Sequence, residues 1–113
     1  MERTSWIVVG TDFSEAAQRA LAYAVEVASH HMSRVALVHA YEDGPDPAEL
    51  LFKLELAIAK SPAARLGVRV EPILRRGTPR DKLRNVATDL GADAIVVGSE
   101  LGPRVIPLLK EVP

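Results

Sequence analysis

The sequence predicts an α/β domain in which helices cover both faces of one mainly parallel β-sheet. Apolar runs without polar alternation occur at residues 6–9, 35–41 and 94–98, as in strands that are buried on both faces. Segments with helical spacing of apolar residues separate these runs, and the connections are short. This alternation implies the order β-α-β-α-β-α-β with right-handed crossovers, which is a three-layer sandwich.

The first strand and the first helix form the unit around which the chain is organised. The strand at residues 6–9 ends at Gly10, and the helix begins at about Glu15. Two side chains compete to cap this helix: the hydroxyl of Ser14, or Asp12 in a capping box with Glu15. Mostly small residues follow at helical spacing, which permits a close approach to the sheet: Ala17, Ala20, Leu21, Ala24, Val27 and Ala28.

The second unit has a strand at residues 35–41 and a helix at about residues 47–66, joined by a loop rich in Gly, Pro and Asp. Pro62 lies inside the helical segment, so it kinks the helix, ends it near Lys60, or begins a new turn. His39 lies inside the strand, where we expect a core histidine with its hydrogen bonds satisfied.

The third unit begins with a strand at residues 68–74, whose alternation and Pro72 predict the edge of the sheet. Residues 77–79 combine a turn glycine, a hydroxyl cap and a proline at the first helical position. A helix therefore starts there, and Gly91 ends it. The strand at residues 94–98 completes the sheet, and we expect the strand order 3-2-1-4 with strands one and four in the centre.

Thr11 and Asp12 follow the first strand, at the edge where open α/β sheets bind their ligands. The N-terminus of the first helix adds roughly half a positive charge there. Asp12 either meets a ribose hydroxyl, a base amino group or a metal ion, or it only caps the turn. The sequence leaves both interpretations open.

The composition limits the class of protein. The 113 residues fit one domain, residues 1–113. The absence of cysteine excludes disulfides and thiolate sites and favours a reducing compartment. No apolar run approaches the roughly 20 residues that cross a bilayer, and the N-terminus has no secretory pattern, so we expect a cytoplasmic protein without a membrane partner.

The net charge of −1 is unevenly distributed. Residues 1–60 carry five Lys and Arg against nine Asp and Glu, whereas residues 61–113 carry nine against six. The basic residues of the second half alternate with acids and have few aromatic neighbours, so we expect a solvated face and no nucleic-acid partner. Nor do we expect a metal site, because His30 and His31 are adjacent in a helix and point about 100° apart.

Four segments together resemble the universal stress protein family. They are residues 7–14 (IVVGTDFS), 37–40 (LVHA), 76–79 (RGTP) and 91–99 (GADAIVVGS), in the family's order and at its spacing. The resemblance covers about residues 5–100. It implies a Rossmann-like fold of the adenine nucleotide alpha hydrolase-like type, and a homodimer.

In one branch of this family ATP is bound, and the resemblance to that branch implies a set of contacts. The family's Asp after strand one corresponds to Asp12, and the backbone that holds adenosine at the end of strand two corresponds roughly to Ala40. The phosphate loop has the pattern Gly, two residues, Gly, nine residues, Gly, and then Ser or Thr. The nucleotide-binding candidates in this chain are therefore Thr11, Asp12, Ala40, Gly98, Ser99 and Gly102.

The phosphate loop departs from the family pattern in this chain. Gly98 matches its first glycine, but Gly102 comes one residue late, and Glu100 brings a negative charge to the place of the phosphates. Lys110 and Glu111 stand where the family has its closing Gly-Ser pair. Since such a loop binds phosphate through closely approaching backbone N–H groups and a hydroxyl, we expect ATP binding to be weak or absent.

The segment after Gly98 also differs from the family. The family's last helix and its fifth strand, which commonly forms the dimer interface, are missing or altered. The six residues between Gly98 and Val105 are too few for a crossover to a parallel strand. Against the open edge of strand four, in this chain or in a partner, we expect a short helix or an extended segment at Val105, Ile106, Leu108 and Leu109.

The resemblance implies a binding or regulatory module of the stress response, without enzymatic activity and with a protein partner. A second hypothesis retains an adenine nucleotide, ATP, ADP or AMP, with Mg²⁺ if ATP binds. A third is a structural domain that acts only by dimerising. A phosphoacceptor receiver domain is disfavoured because Asp12 stands alone at the strand ends, and a hydrolase because Ser14 and Ser99 have no neighbouring His.

Overall fold

The computed structural model describes residues 5–108 of the chain. Its elements are β1 (Trp6–Gly10), α1 (Glu15–His31), β2 (Arg34–Tyr41), α2 (Pro47–Lys60), α3 (Ala63–Leu66), β3 (Val70–Arg76), α4 (Pro79–Leu90), β4 (Ala94–Val97) and β5 (Arg104–Pro107). The sheet has the order β3-β2-β1-β4-β5, so the predicted order of the first four strands is confirmed. No helix within these residues is long and apolar enough to cross a membrane.

The middle of the sheet is parallel, and β1 lies between β2 and β4 with Val8 opposite both Ala36 and Ile95. Alternate side chains of β1 enter different halves of the core. Ile7 and Val9 pack with residues of α1, α2 and α3, whereas Val8 packs with residues of α4. The two helix layers explain why the strand sequence is apolar without alternation, and the predicted three-layer arrangement is confirmed.

The helix predicted over residues 47–66 is divided in two near Pro62. It ends at Lys60, and α3 begins at Ala63. The hydroxyl of Ser61 accepts a hydrogen bond from the N–H of Ala63 at 3.2 Å, which starts the new turn. The proline therefore separates two helices and does not kink a continuous one.

The third strand lies about two residues later in the chain than predicted. Its pairing with β2 places Val70 opposite Val35 and continues to Arg76. Val68 is instead part of the ending of α3, because its N–H donates to the carbonyl of Ala63 at 2.9 Å. The predicted edge position is correct, since β3 is the outermost strand next to β2.

The fifth strand, predicted to be missing or altered, is present as β5 and runs antiparallel to β4 of the same chain. Ile106 lies opposite Ile95, and Val105 lies opposite Val96. Residues 98–103 suffice for a hairpin, although they are too few for a parallel crossover. The prediction of an extended segment is thus confirmed up to Leu108, whereas Leu109, Lys110 and Glu111 lie outside the described residues.

We expect Gly98→Ala to destabilise the fold by about 1–3 kcal/mol or more through overpacking. A Cβ at this position would lie 2.5 Å from the carbonyl carbon and oxygen of Ala16 and 2.7 Å from the nitrogen of Ala17, which are backbone atoms. Urea unfolding measures this loss as a difference in the free energy of unfolding. The slope of that free energy against urea concentration is compared between the variants.

Gly10→Ala is the matched control for this substitution. The three atoms nearest to its Cβ would all belong to the side chain of Leu83, the nearest at 2.7 Å, and a leucine can change its rotamer. The control should therefore lose clearly less stability than Gly98→Ala. Equal losses in the two variants would contradict the proposed backbone contact.

Candidate functional site

A pocket of about 460 Å³ opens at the carboxyl ends of β1, β2 and β4, which is the ligand edge of an open α/β sheet. The strand ends, the start of α1 and the first turns of α4 form its walls. Its lining residues are Gly10, Thr11, Asp12, Ser14, Ala16, Ala17, Val38, His39, Ala40, Pro79, Leu83, Val97, Gly98, Ser99 and Glu100.

The structure brings together five of the six candidate residues that the sequence analysis named. Thr11 and Asp12 come from the end of β1, Ala40 from β2, and Gly98 and Ser99 from the segment after β4. The sixth, Gly102, does not line the pocket and lies in the turn beyond Ser99. Whether these residues bind a nucleotide remains a prediction.

The loop between β1 and α1 is held by its own side chains. The N–H of Thr11 donates to the carbonyl of Val38 at 2.9 Å, and the hydroxyl of Thr11 accepts the N–H of Phe13 at 3.0 Å. Asp12 Oδ1 accepts the N–H of Ser14 at 2.9 Å. Phe13 has a φ of 66°, a left-handed conformation that is uncommon for a bulky residue and typical of functional loops.

Both capping candidates have a structural role, but in different turns. Ser14 is the N-cap of α1, because its hydroxyl accepts the N–H of Ala17 at 3.2 Å. Asp12 caps the preceding turn through Ser14, so the predicted capping box with Glu15 is not the arrangement found. The turn-capping interpretation of Asp12 is correct, and its exposed side chain still borders the pocket.

Asp12 is held in its ionised form. Hydrogen bonds with the side chain and backbone of Ser14 lower the pKa of this carboxyl below its ordinary value of 3.8, and His39 adds a smaller effect in the same direction. The pocket therefore presents a carboxylate acceptor at neutral pH. A carboxylate at this place can accept hydrogen bonds from hydroxyl or amino groups of a ligand.

His39 lies in the pocket wall and is half-buried, so it is not the core residue that the sequence suggested. Its Nδ1 lies 2.8 Å from the carbonyl oxygen of Thr11, and since a carbonyl only accepts, Nδ1 carries a proton. The ring also packs on Phe13, with 4.4 Å between ring centroids. Its position one residue before Ala40, at the carboxyl end of the strand, was the signal that could have placed it in the site.

The turn after β4 is closed on itself. The hydroxyl of Ser99 donates to the carbonyl of Gly102 at 2.6 Å, and the N–H of Gly102 donates to the carbonyl of Ser99 at 3.1 Å. Gly102 has a φ of 111°, which favours glycine. The hydroxyl and this N–H are thus used inside the turn, while Glu100 lines the pocket.

This arrangement is suited to binding a small ligand. The pocket is concave, it lies within the usual size range of about 300–1,000 Å³, and it combines apolar walls with a few fixed polar groups. The hydroxyls of Ser14 and Ser99 are bonded to backbone groups, and Nδ1 of His39 is bonded to Thr11. Among the described residues, no cluster of His, Asp or Glu is arranged to hold a metal ion.

Comparisons with known proteins agree with the fold of the chain. The model of the universal stress protein family matches residues 5–102. Protein Rv1636 from Mycobacterium tuberculosis H37Rv is 31% identical, with a TM-score of 0.69 over 87% of this chain and 73% of its own. No curated protein sequence matches the chain significantly.

Two further solved structures carry a ligand. A universal stress protein in complex with cAMP is 27% identical, with a TM-score of 0.71 over 83% of this chain and 72% of its own. A universal stress protein from Archaeoglobus fulgidus in complex with dAMP is 26% identical, with a TM-score of 0.70 over 90% of this chain and 86% of its own. These proteins share the three-layer α/β fold with the chain.

We expect the contribution of Asp12 to stability to depend on pH. Because its pKa is lower in the folded chain than the ordinary 3.8, this contribution is complete above about pH 4 and is lost as the pH falls through the folded value. Chemical unfolding of the wild type and of Asp12→Asn, from pH 7 to pH 2.5, measures it. The difference between the two proteins should shrink as the pH falls, and a difference that grows would contradict the argument.

Proposed function

Because residues 5–102 match its model, the chain belongs to the universal stress protein family, and we propose that it is a non-enzymatic regulatory module that binds the adenosine part of an adenine nucleotide. The observation that carries this proposal is the pocket at the ends of β1, β2 and β4, where five candidate residues meet. The dAMP and cAMP bound by the two structural relatives support the choice of ligand.

The polar groups at the strand ends suit the ribose and the base. In our proposal the carboxylate of Asp12 accepts from ribose hydroxyls, and the backbone at Ala40 bonds the edge of the adenine ring. Val38, Leu83 and Val97 supply apolar walls for the flat base. Since the loop of Asp12 is already held by internal hydrogen bonds, little ordering is required on binding.

The same pocket is poorly suited to a triphosphate. Among residues 5–108, the residues that line it include Asp12 and Glu100 but no lysine or arginine. The hydroxyl of Ser99 and the N–H of Gly102, which a phosphate loop would offer to a ligand, are used inside the turn. We therefore propose that mononucleotides such as AMP bind better than ATP, with or without Mg²⁺.

We extend the proposal to the assembly and setting of the protein. It is a homodimer in the cytoplasm that takes part in the stress response through a protein partner, without nucleic acid or membrane contacts. Family membership supports the regulatory role, and the absence of cysteine supports a reducing compartment.

Isothermal titration with adenosine, AMP, cAMP and ATP, with and without Mg²⁺, tests the proposed ligand. We expect saturable binding of the mononucleotides, and at a concentration 100 times the dissociation constant the ligand should stabilise the fold by about 2.7 kcal/mol. Asp12→Ala should weaken binding at least tenfold, because it removes the proposed ribose acceptor.

Asp89→Ala is the matched control, since Asp89 is an exposed carboxylate on α4 that does not line the pocket. Its affinity should equal that of the wild type. No binding of any of the four compounds at millimolar concentration would overturn the proposal and favour a domain that acts only by dimerising.

Glu100→Gln tests the electrostatic argument against ATP. Removing this charge should tighten ATP binding more than AMP binding, with an expected gain of about three- to tenfold for ATP, because the triphosphate carries more negative charge. Glu26→Gln removes an equal charge from an exposed position of α1 outside the pocket and should change neither affinity. Equal effects of the two substitutions would show that only net charge matters.

A further inference from the structure

The two faces of the sheet are covered unequally. Helices α1, α2 and α3 pack on one face, whereas among residues 5–108 the other face carries α4 alone. Helix α4 packs chiefly on β1 and β2. That face of β4 and β5 is therefore left without a helix of its own layer, although α/β sheets ordinarily have helices over both faces.

The surface that α4 leaves uncovered is apolar. Ile95 and Val97 of β4 lie on it, together with Ile106 of β5 and Leu108, which directly follows β5. Ile106 is 41% exposed, and Val97 and Leu108 are half-buried. We call these four residues the β4–β5 strip. An apolar strip of this kind is a typical site of contact with another molecule.

A groove of about 280 Å³ lies between the β4–β5 strip and α4. Arg80, Arg84 and Thr88 line its helical wall, and their spacing of four residues places them along one flank of α4. Neither arginine forms an ion pair with any of residues 5–108. The acids of α4, Asp81 and Asp89, do not line the groove. The groove thus combines an apolar floor with a positively charged wall.

A third positive charge lies at one end of the strip. Arg104 is paired with Val97 across the hairpin and comes two residues before Ile106, so alternation places both on the same face of β5. Arg104 also has no ion pair within residues 5–108. Positive charge therefore flanks the apolar floor on the side of α4 and on the side of β5.

The dimensions of the strip suit one α-helix. Two neighbouring strands are about 10 Å wide, and a helix with its side chains is about 10–12 Å in diameter. The four residues of β5 extend over about 13 Å, which is the length of a helix of about nine residues. A helix laid on the strip would continue the layer of α4 at its outer side.

We propose that the β4–β5 strip binds an acidic amphipathic helix of a partner protein. The apolar face of that helix packs on Ile95, Val97 and Ile106, and its acidic flank faces Arg80 and Arg84. Charge complementarity selects an acidic helix, because the arginines that border the groove have no counter-ion among the described residues. The inference rests on the proposed function only in that it names the kind of protein partner.

Isothermal titration of the full chain with a synthetic peptide tests this proposal. The peptide has about 15 residues, with leucine at i, i+3, i+4 and i+7 and glutamate along one flank. Two control peptides carry lysine in place of each glutamate, or the same residues in scrambled order. Because the surface is small, we expect weak but saturable binding of the glutamate peptide, about tenfold tighter than that of either control.

Reversing the charge of the groove should reverse the choice of peptide. Arg80→Glu/Arg84→Glu should weaken binding of the glutamate peptide about tenfold and tighten binding of the lysine peptide. Position 80 is in the first turn of α4, where the helix dipole favours an acid, so we expect the variant to fold. Arg19→Glu/Arg65→Glu makes the same change in net charge on α1 and α3, on the opposite face of the sheet, and should change neither affinity.

Two neighbouring residues of β5 locate the binding surface. Ile106 lines the groove, whereas Val105, which is 47% exposed, does not and faces the other side of the sheet. Ile106→Ser should weaken binding of the glutamate peptide about tenfold, and Val105→Ser should leave it unchanged. Leu109→Ser should also leave it unchanged, because the proposed occupant belongs to another protein. Thermal unfolding of each variant confirms that it is folded.

Four results would overturn the proposal. They are no binding of the glutamate peptide at millimolar concentration, equal binding of the glutamate and lysine peptides, equal losses in Ile106→Ser and Val105→Ser, or tighter binding to Leu109→Ser. The last result would assign the strip to the chain's own C-terminal segment. Nucleotide is absent from every titration, so the outcome here is separate from the outcome for the proposed ligand.

Discussion

The close contact between Gly98 and the first turn of α1 is the constraint on which the site depends. No side chain separates residue 98 from the backbone of Ala16 and Ala17, so the end of β4 lies directly against the N-terminus of the helix. Buried alanines at positions 17, 20 and 24 continue this close packing along α1. The contact fixes where Ser99 and Glu100 lie relative to the loop of Asp12, and so it determines the width of the pocket.

Internal hydrogen bonds of the loop between β1 and α1 then decide what the pocket can do. Thr11 and Asp12 hold the backbone of Phe13 and Ser14, and His39 is fixed by the carbonyl of Thr11. These groups are ordered before a ligand arrives, which favours binding. In the same pocket the hydroxyl of Ser14 accepts a backbone N–H, and the hydroxyl of Ser99 donates to a backbone carbonyl.

The hairpin from β4 to β5 borders the ligand site at its turn and forms one edge of the sheet with its second strand. Closing the chain after Ser99 uses the polar groups of the turn, which would otherwise be available to phosphates. The hairpin also covers the edge of β4 with a strand of four residues, which begins with Arg104 and ends with Pro107. A charged residue and a proline on a short edge strand discourage further pairing.

The sequence by itself predicted the order of the first four strands, the three layers, the position of β3 at the edge and the place of Thr11 and Asp12 at a strand end. Ala40, Gly98 and Ser99 were implied by the resemblance to the family. Apolar runs, proline and glycine signals and strand ends are local features, and parallel sheets place their carboxyl ends together. Only the tertiary structure decided that Asp12 caps the turn of Ser14, that His39 enters the pocket and that Gly102 stays outside it. Those outcomes depend on which groups of β1, β2 and the hairpin come into contact in the folded chain. The spacing of residues along the sequence does not specify such contacts. The direction of β5 was open for the same reason, because six residues permit several paths and only packing against β4 selects one.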